Sequence, residues 1–589
     1  MGSLTSDQVP VVLMVSGKPD AVAKRVADAA AGHVMDAAIT PMLRDSFLAG
    51  RAIIAIGAVG AVVRLLAPHL ADKRAEPPVV VVAPDGSSIV PLLGGHNGAN
   101  QMARTLSKAL GVPAAITTAT DTKLGAALDV PPSGWVISPR SNYKSIAADI
   151  LSGQPVQLDP NLTWLTGANL NHDGNAPRRV YTSVASDTAT TDLVFHPKSL
   201  VIGVGCARNA SSDALQQHVH SVLQQHDLAP ESVAVVVSLD VKTDEPAIHR
   251  LAALYNVPAR FFSCQQLAAV EHRLVNPSEK VKSEVGVAGV AEGAALAAVG
   301  DTGRLLIPKV KGKQVTVAVS QAVEPINPDN IGVKRGCLFI VGLGPGHAEE
   351  QTPLALAYLA RSQHIVGLKQ YFNYIPRIAS DQVTHRFDLG EEQLRVRHAL
   401  QLAASGRDVC LIGSGDASIY AMGALVFEEI EKSDDPAVAR INVISAPGIT
   451  ALQSASARAG APLGHDFCAI SLSDLLTPWP VIENRLRAAA RGDFVTAFYN
   501  PVSKRRRVAL AKARQIFLDH RPKSTPVVIG RNLGRLDEQM SYTTLHQLKV
   551  DDADMLSVVL VGSSQTRAIP RASYPPWIYT PRGFAGKKT

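Results

Sequence analysis

The feature that most constrains this chain is an alternation of short β-branched runs with Ala/Leu-rich amphipathic stretches, repeated along most of its length. VVLMV (11–15), AIIAIG (52–57) and VVVVA (79–83) read as strands, and residues 19–31, 58–66 and 100–110 read as helices. Such a rhythm predicts a parallel sheet with helices on its faces. From 123 to 198 it weakens, Pro, Asn, Asp and Thr become frequent, and a smaller, more β-like segment is expected. It resumes with LVIGVG (200–205), a helix over 212–226, SVAVVVSL (232–239), a helix over 245–255 and a hairpin over 305–319 around Lys311-Gly312. Residues 322–335 (AVEPINPDNIGVKR) carry two prolines and no apolar period, which marks a linker. CLFIVGLG then opens a new run: helices over 351–362 and 391–405, and strands at DVCLIGSGD (408–416), INVIS (441–445), DFVTAFYN (493–500), PVVIGRN (526–532) and MLSVVLVG (555–562). The expected fold class is multidomain α/β, divided as 1–122, 123–198, 199–321, the linker 322–335, and 336–589 with lobes of about 336–446 and 447–584.

Composition narrows the class of function. A chain of 589 residues suggests three to five domains at roughly 100–200 residues each. The net charge of +7 is dispersed and aromatic residues make up only 5%, which argues against a base-stacking nucleic-acid surface. A positive cleft for an anionic small molecule and a plain solubility charge both remain open. No apolar run reaches the roughly 18 residues of a membrane helix; the stretch 52–63 is interrupted by Gly57 and Gly60 and closed by Arg64. Without a secretory pattern at its start, the chain is expected in the cytoplasm, away from membranes. The five cysteines form no C-x-x-C pair, so neither a metal site nor a disulfide framework is expected.

Several turns stand out chemically. VGLGPGH (341–347) sets three glycines around a proline after a strand, which lets a backbone approach a ligand or simply makes a tight turn. It departs from the dinucleotide fingerprint, because Pro345 separates the second and third glycines and no acidic residue follows at the required distance. In SGDASIY (414–420), Asp416 is placed to accept hydrogen bonds from a ribose or an amine, or to cap the next helix. The small-residue segment 446–467 suits either a flat ligand or close helix packing. Lys504-Arg505-Arg506-Arg507 follows Tyr499-Asn500-Pro501, and Arg582 lies near the end; these cations suit a carboxylate-rich ligand or a solvated helix start.

Taken in order, VGLGPG, SGDASIY, PGIT, AFYNP (497–501) and RNLGR (531–535) resemble the tetrapyrrole (corrin/porphyrin) methylase family. The longer phrases LGHDFCAISLSDLLTPWPVIENRLRAA, FYNPVSKRR, VGSSQTR and YTPRGF are similar to precorrin-3B C17-methyltransferase and its cobalt-pathway counterpart, over residues 336–584. The resemblance implies two α/β lobes with the active site in the trough between them, and S-adenosyl-L-methionine held mainly by main-chain groups. By motif, those positions are Pro345, Ser414, Gly415, Asp416, Ile419, Thr450, Ala451, Asn500, Asn532 and Leu533. It also implies an acidic tetrapyrrole substrate (precorrin-3B or its cobalt form), methylation at C17 with extrusion of C20, and a homodimer formed through this domain. No strong base stands out. Ring contraction needs proton movement, so His347, His465, Asp466 and Ser473 are candidates, each of which also reads as a side chain bonding only backbone.

The first half carries a second resemblance. GAVGAVVRLLAPHL (57–70), residues 79–111, AAITTATD (114–121), LVIGVGCARNASSD (200–213), SLDVKTDEP (238–246) and residues 276–296 are similar, in that order, to cobalt-precorrin-5A hydrolase. That family opens a ring-attached δ-lactone and releases acetaldehyde, which requires an activated water and a stabilised oxyanion. His96, in GGHNG, is the candidate base or anchor. Asp240, Lys242, Asp244 and Glu245 cluster at a strand end, and Glu279 and Glu292 lie in the last glycine-rich stretch; turn and cap chemistry accounts equally for these. The loop GGHNGAN is one residue shorter than the family's usual S-G-H-x-G-G-A-N. The resulting expectation is a bifunctional corrin-pathway enzyme. The alternative is a methyltransferase with a non-catalytic N-terminal tetrapyrrole-binding module. A diphthamide-type substrate is disfavoured by LSDLLTPW and TPRGF, and an RNA methylase by the dispersed charge.

Overall fold

A computed structural model describes residues 10–583 except 16–19, 36–38, 71–75, 118–123, 125–127, 187–190, 376–377, 379–381 and 504–505, and the side chains of 33, 35, 39–41 and 96 also lie outside the description. The chain divides into two compact units, Met1–Lys334 and Arg335–Thr589.

Among its described residues the first unit contains three sheets. In the first, strands His33–Met35, Val11–Met14, Ile53–Ile56 and Val79–Val82 run parallel, and Ile89–Leu93 closes the edge antiparallel. Alternate strand residues face opposite helix layers. Val12, Ile54, Ile56, Val80 and Val82 pack with Val26, Ala103 and Leu106 of helices Ala21–Ala30 and Ala99–Leu110. Val11, Leu13, Ile53 and Val81 pack with Leu43, Phe47, Val62 and Leu66 of helices Ile39–Leu48 and Val59–Leu66. Burial on both faces explains why these strands are continuous β-branched runs. Strands 33–35 and 89–93 and helix 39–48 went unread: a three-residue strand has too few positions for a period, and Pro91 disguises an edge strand.

Residues 123–198 form a mixed sheet, ordered Trp135–Ile137, Leu193–Pro197, Arg179–Thr182, Gln157–Leu158, covered by helix Tyr143–Leu151. The third sheet runs Ala259–Phe262, Val233–Leu239, Leu200–Cys206, Val315–Gln321, Arg304–Lys311, the first three strands parallel and the last two an antiparallel hairpin. Residues 322–333 are not a free tether. The Ala322 and Ile326 amides donate to Ser199 and Lys198 carbonyls, Val333 and Phe261 exchange two backbone bonds, and Ala322, Ile326 and Ile331 pack against the core of the third sheet. Isolated apolar residues between prolines hide this docking, because no period announces it.

The second unit has two main layers. Strands Val383–Phe387, His364–Leu368, Asp408–Gly413, Cys337–Gly342 and Asn442–Ala446 form an all-parallel sheet in that order. Helix Pro353–Arg361, capped by the Thr352 hydroxyl, covers one face, and helices Glu392–Ala404 and Met422–Glu431 the other. The following sheet is mixed, ordered Phe467–Ser471, Val495–Tyr499, Ser557–Val561, Pro526–Arg531, Gln539–Thr544. Helices Trp479–Arg491 and Val508–Leu518 pack on one side of it, and the small-residue helix Ala451–Ala459 on the other. Among the described residues, no helix is long and apolar enough to cross a membrane.

Candidate active site

In an open parallel sheet, ligands bind in the crevice beyond the carboxyl ends of the strands, where successive crossovers diverge. In the second unit three turns meet there. Strands 337–342, 408–413 and 442–446 lie side by side, and the turns after them carry the glycine motifs. Gly344 and Gly415 exchange backbone hydrogen bonds of 3.1 and 2.7 Å. The Gly448 amide donates to Asp416 Oδ2 at 3.1 Å, which joins the third turn to the second. The approach is too close for any side chain: a Cβ on Gly448 would lie 2.1 Å from the Gly415 carbonyl oxygen and 2.7 Å from that of Gly342. Glycine therefore serves here as a spacer between backbones.

Asp416 organises this cradle. Its Oδ1 accepts the Ser418 amide at 2.8 Å and the Ser418 hydroxyl. Burial alone would push its carboxyl up, but the Ser418 hydroxyl and the Ser418, Gly448 and Ile419 amides outweigh that and hold it below the usual carboxylate range. An ionised carboxylate keeps lone pairs free for a further donor. Beside it, Gly413 is buried, yet a side chain there would meet no atom within 4 Å. Ile419 stands exposed at the rim.

The second layer presents its own carboxyl ends to the start of helix 451–459. Thr450, the residue before that helix, shares a 2.5 Å hydrogen bond with the Tyr499 hydroxyl, which also accepts the Leu452 amide at 3.0 Å. Burial pushes the Tyr499 phenol up, so it stays protonated. Ala451 follows as the first helical residue. Asn500, in a left-handed conformation, donates from Nδ2 to Ser471 Oγ at 3.2 Å. Asn532, likewise left-handed, donates to Asp537 at 2.5 Å, and its buried Oδ1 has no partner. Leu533 sends its side chain into the core of this layer. Pro345 is tied to the same region, with its carbonyl accepting from Arg535 Nε at 3.5 Å.

An ion-pair network that the sequence reading missed fastens these pieces. Arg458 donates to Glu350 at 2.8 Å and to Glu538 at 2.5 Å, and Glu538 also accepts the Gly534 amide at 2.6 Å. One guanidinium thus joins the turn after the first strand, helix 451–459 and the loop after strand 526–531. Its hydrogen bond to Glu350, partly offset by burial, raises its affinity for its proton further. The available signal was a single cation in a helix made mostly of small residues.

Not every expected residue lies in the cradle. His465 and Asp466 precede strand 467–471, at its amino end, about 15 Å along the strand from Ser471. Both are exposed, and the His465 ring accepts the Asp466 amide at 2.8 Å; the structure does not bring them to the cradle. His347 is exposed and its Nδ1 accepts the Glu349 amide. The Ser473 amide donates to Ser471 Oγ. Arg506 lies 3.7 Å from Asp474 and Arg507 pairs with Asp551, whereas Lys504 and Arg505 lie outside the described residues. Arg582 is exposed. In the first unit, the backbone of His96 sits in a single turn between Gly94 and Gly98, both at positive φ, and its side chain lies outside the described residues. Glu279 is an exposed acid in the first turn of its helix. Among the described residues, no group of three or more His, Cys, Asp or Glu could hold a metal ion.

Comparison with known proteins places these features. Residues 337–549 match the family described as Tetrapyrrole (Corrin/Porphyrin) Methylases, residues 41–121 the Cobalamin synthesis G N-terminal family, and residues 200–320 the Cobalamin synthesis G C-terminus family. The precorrin-3B C(17)-methyltransferase of a Sinorhizobium species is 43% identical over 254 residues, which cover 43% of this chain and 98% of that protein. Cobalamin biosynthesis protein CobIJ of Mycobacterium tuberculosis is 40% identical over 260 residues, and the chain spans only 50% of it. The crystal structure of the methyltransferase CobJ is 41% identical, covering 42% of this chain and 100% of that one, with a TM-score of 0.39. Tetrapyrrole methylases use S-adenosylmethionine, and the cradle fits it: Gly413 adjoins space no protein atom fills, Asn532 Oδ1 lacks a partner, and Ile419 offers an exposed apolar face. Ser414, Gly415, Asp416, Ile419, Thr450 and Ala451 are the residues that could hold it, with Asn500 and Asn532 at the ends of strands 495–499 and 526–531. The chain belongs to the tetrapyrrole (corrin/porphyrin) methylase family, as an S-adenosylmethionine-dependent methyltransferase of cobalamin biosynthesis preceded by the N- and C-terminal domains of cobalamin synthesis G.

Proposed function

We propose that the second unit methylates C17 of precorrin-3B or its cobalt form while the macrocycle contracts, and that the first unit opens the δ-lactone of cobalt-precorrin-5A with release of acetaldehyde. The observation that carries the methyltransferase reading is the joining of three separate glycine turns into one main-chain cradle, in a region 43% identical to a protein named for C17 methylation. Bound S-adenosylmethionine supplies an electrophilic methyl group on a sulfonium. The residues supply orientation, the main requirement for methylating an electron-rich ring carbon. Asp416 accepts a ligand donor, the Gly415 and Gly448 turns set the depth of binding, and the Thr450–Tyr499 bond fixes the start of helix 451–459. Arg506, with a buried Nη1 lacking a partner, and the exposed Arg582 are placed to receive substrate carboxylates.

Two further readings belong here. A homodimer through this unit is supported by Leu475 and Leu476, 76% and 98% exposed in the LSDLLTPW loop. Residues 1–122, 123–198 and 199–321 act as sub-domains of a cytoplasmic enzyme. The test is turnover of the precorrin-3B-type precursor with methyl-labelled S-adenosylmethionine, read by carbon NMR. Label at C17 is expected, and label at another ring carbon or none at all would overturn the assignment.

A further inference from the structure

Beyond the carboxyl ends of strands 200–206 and 233–239, the first unit holds a second cluster that its turn and cap chemistry does not explain. Glu245 there is fully buried. Its Oε2 accepts the Asn209 amide at 3.2 Å, but its Oε1 has no hydrogen-bond partner. Lys242 Nζ and Arg208 Nη1 approach Oε2 only to 3.8 and 3.9 Å, beyond hydrogen-bonding distance. Arg208 instead bonds Asp244 at 2.6 Å and the Val241 carbonyl at 2.9 Å. A buried carboxylate oxygen without a donor is costly and calls for an explanation. Glu292, in the same layer and as deeply buried, shows the satisfied alternative. It accepts the Val275 and Asn276 amides, the Asn276 side chain and the Lys309 amide, at 2.8–3.0 Å. Glu292 is structural, whereas Glu245 is held in reserve beneath two cations.

We propose that this strand-end cluster is the ligand site of the first unit, with Glu245 as its proton-accepting group and Lys242 and Arg208 as receivers of an anionic, ester-bearing ligand. The inference rests on the hydrolase reading and names its residues. Lys242 and Arg208, 3.8 and 3.9 Å from Oε2, receive a ligand carboxylate, and the unpartnered Oε1 accepts from the attacking water. Glu245 takes one proton from that water as its oxygen bonds to the lactone carbonyl carbon, and the carbonyl electron pair moves to oxygen, facing the cations. The carbonyl then re-forms, the ring C–O bond breaks, and the proton held by Glu245 passes to the departing alkoxide. One water is consumed and no redox partner is needed; the resulting hydroxy acid releases acetaldehyde when its hydroxyl proton leaves, the C–C bond to the macrocycle breaks and the ring carbon takes up a proton. Cys206, beside these groups, is the rival nucleophile. Burial pushes its thiol up to about 11, so it stays protonated at neutral pH.

The test uses the full chain with the δ-lactone-bearing cobalt corrinoid. Acetaldehyde release gives the rate, hydrogen exchange of segments 206–211 and 240–247 gives occupancy at this site, and protection of residues 200–205 and 233–239 in the buried strands without ligand reports an intact first unit. Glu245→Gln is expected to lower kcat at least about 100-fold with KM within about three-fold and protection retained. Lys242→Met is expected to raise KM about ten-fold and weaken the protection. Glu245→Gln turnover within about three-fold of wild type, or protection confined to the loop around His96, would overturn the site while leaving the hydrolase reading intact. A wild-type chain that protects these segments but releases no product would overturn the hydrolase reading and the role of Glu245 as base, and would keep the cluster as a binding site.

Discussion

The two units gather their candidate groups at the carboxyl ends of neighbouring parallel strands and build them from opposite materials. In the second unit the ends of strands 337–342, 408–413 and 442–446 meet as bare backbone, with Gly342 and Gly448 too close to their neighbours for any side chain, Gly415 at positive φ, and one carboxylate, Asp416, tying the turns together. In the first unit the ends of strands 200–206 and 233–239 are lined by side chains of both signs around Glu245. A main-chain cradle reads the shape of a ligand and tolerates few changes in geometry. A charged cluster reads charge and moves protons, so it tolerates changes in shape better than changes in ionisation. The same sheet geometry thus serves positioning in one unit and, in our account, hydrolysis in the other.

The largest effect that separates the two is expected from Gly448→Val. Its Cβ would lie 2.1 Å from the Gly415 carbonyl oxygen, so the turns must part; methyl transfer should fall at least about 100-fold, since displacements near 1 Å cost that much. Acetaldehyde release should stay within about two-fold, and a parallel loss of both activities would break the division of labour. Next is Glu292→Gln, which leaves buried amides facing an NH2 group and should cost about 2–4 kcal/mol in urea unfolding of the first unit, with methyl transfer preserved. The pH dependence follows from the same bonds. Burial would raise the Glu292 carboxyl, but the bonds from Asn276, Lys309 and Val275 outweigh it and hold its pKa below the ordinary 4.5. A depressed folded pKa gives stability that is fully present above the unfolded value and is lost as pH falls through the lower, folded one. Acid titration of the Gln variant should therefore lose part of the wild-type drop below about pH 4.5.

A smaller effect is expected from Arg458→Met, which frees Glu350 and Glu538 from each other. Calorimetric titration should show S-adenosylmethionine affinity reduced about ten-fold, with acetaldehyde release unchanged. The smallest belongs to His465→Ala and Asp466→Asn. Both side chains are exposed at the far end of their strand, and methyl-transfer kcat should stay within about two-fold. A larger loss would place proton transfer where the geometry does not.

The parallel cores were legible because burial on both faces forces continuous apolar strands, as in 79–82, 233–239 and 408–413. In the mixed sheet, Ser557–Val561 was legible as a strand but not as an antiparallel one, since pairing direction leaves no mark on a single strand, and Gln539–Thr544 alternates too weakly to be read at all. Each glycine turn was visible alone. That Gly344 bonds Gly415 across 71 positions is a consequence of strand order, which periodicity does not encode. Glu350, Arg458 and Glu538 were missed for the same reason. Glu245 and Glu292 looked alike in the sequence, because what separates them is the number of donors around a buried oxygen.

The cradle is the proposed seat of the cofactor. The direct measurement is hydrogen exchange of the full chain with and without S-adenosylhomocysteine, followed by mass spectrometry. Protection of 342–347, 413–419 and 447–452 together, rising over one ligand concentration range, is the predicted result. Protection of only one of these turns, or of segments in the first unit instead, would contradict it.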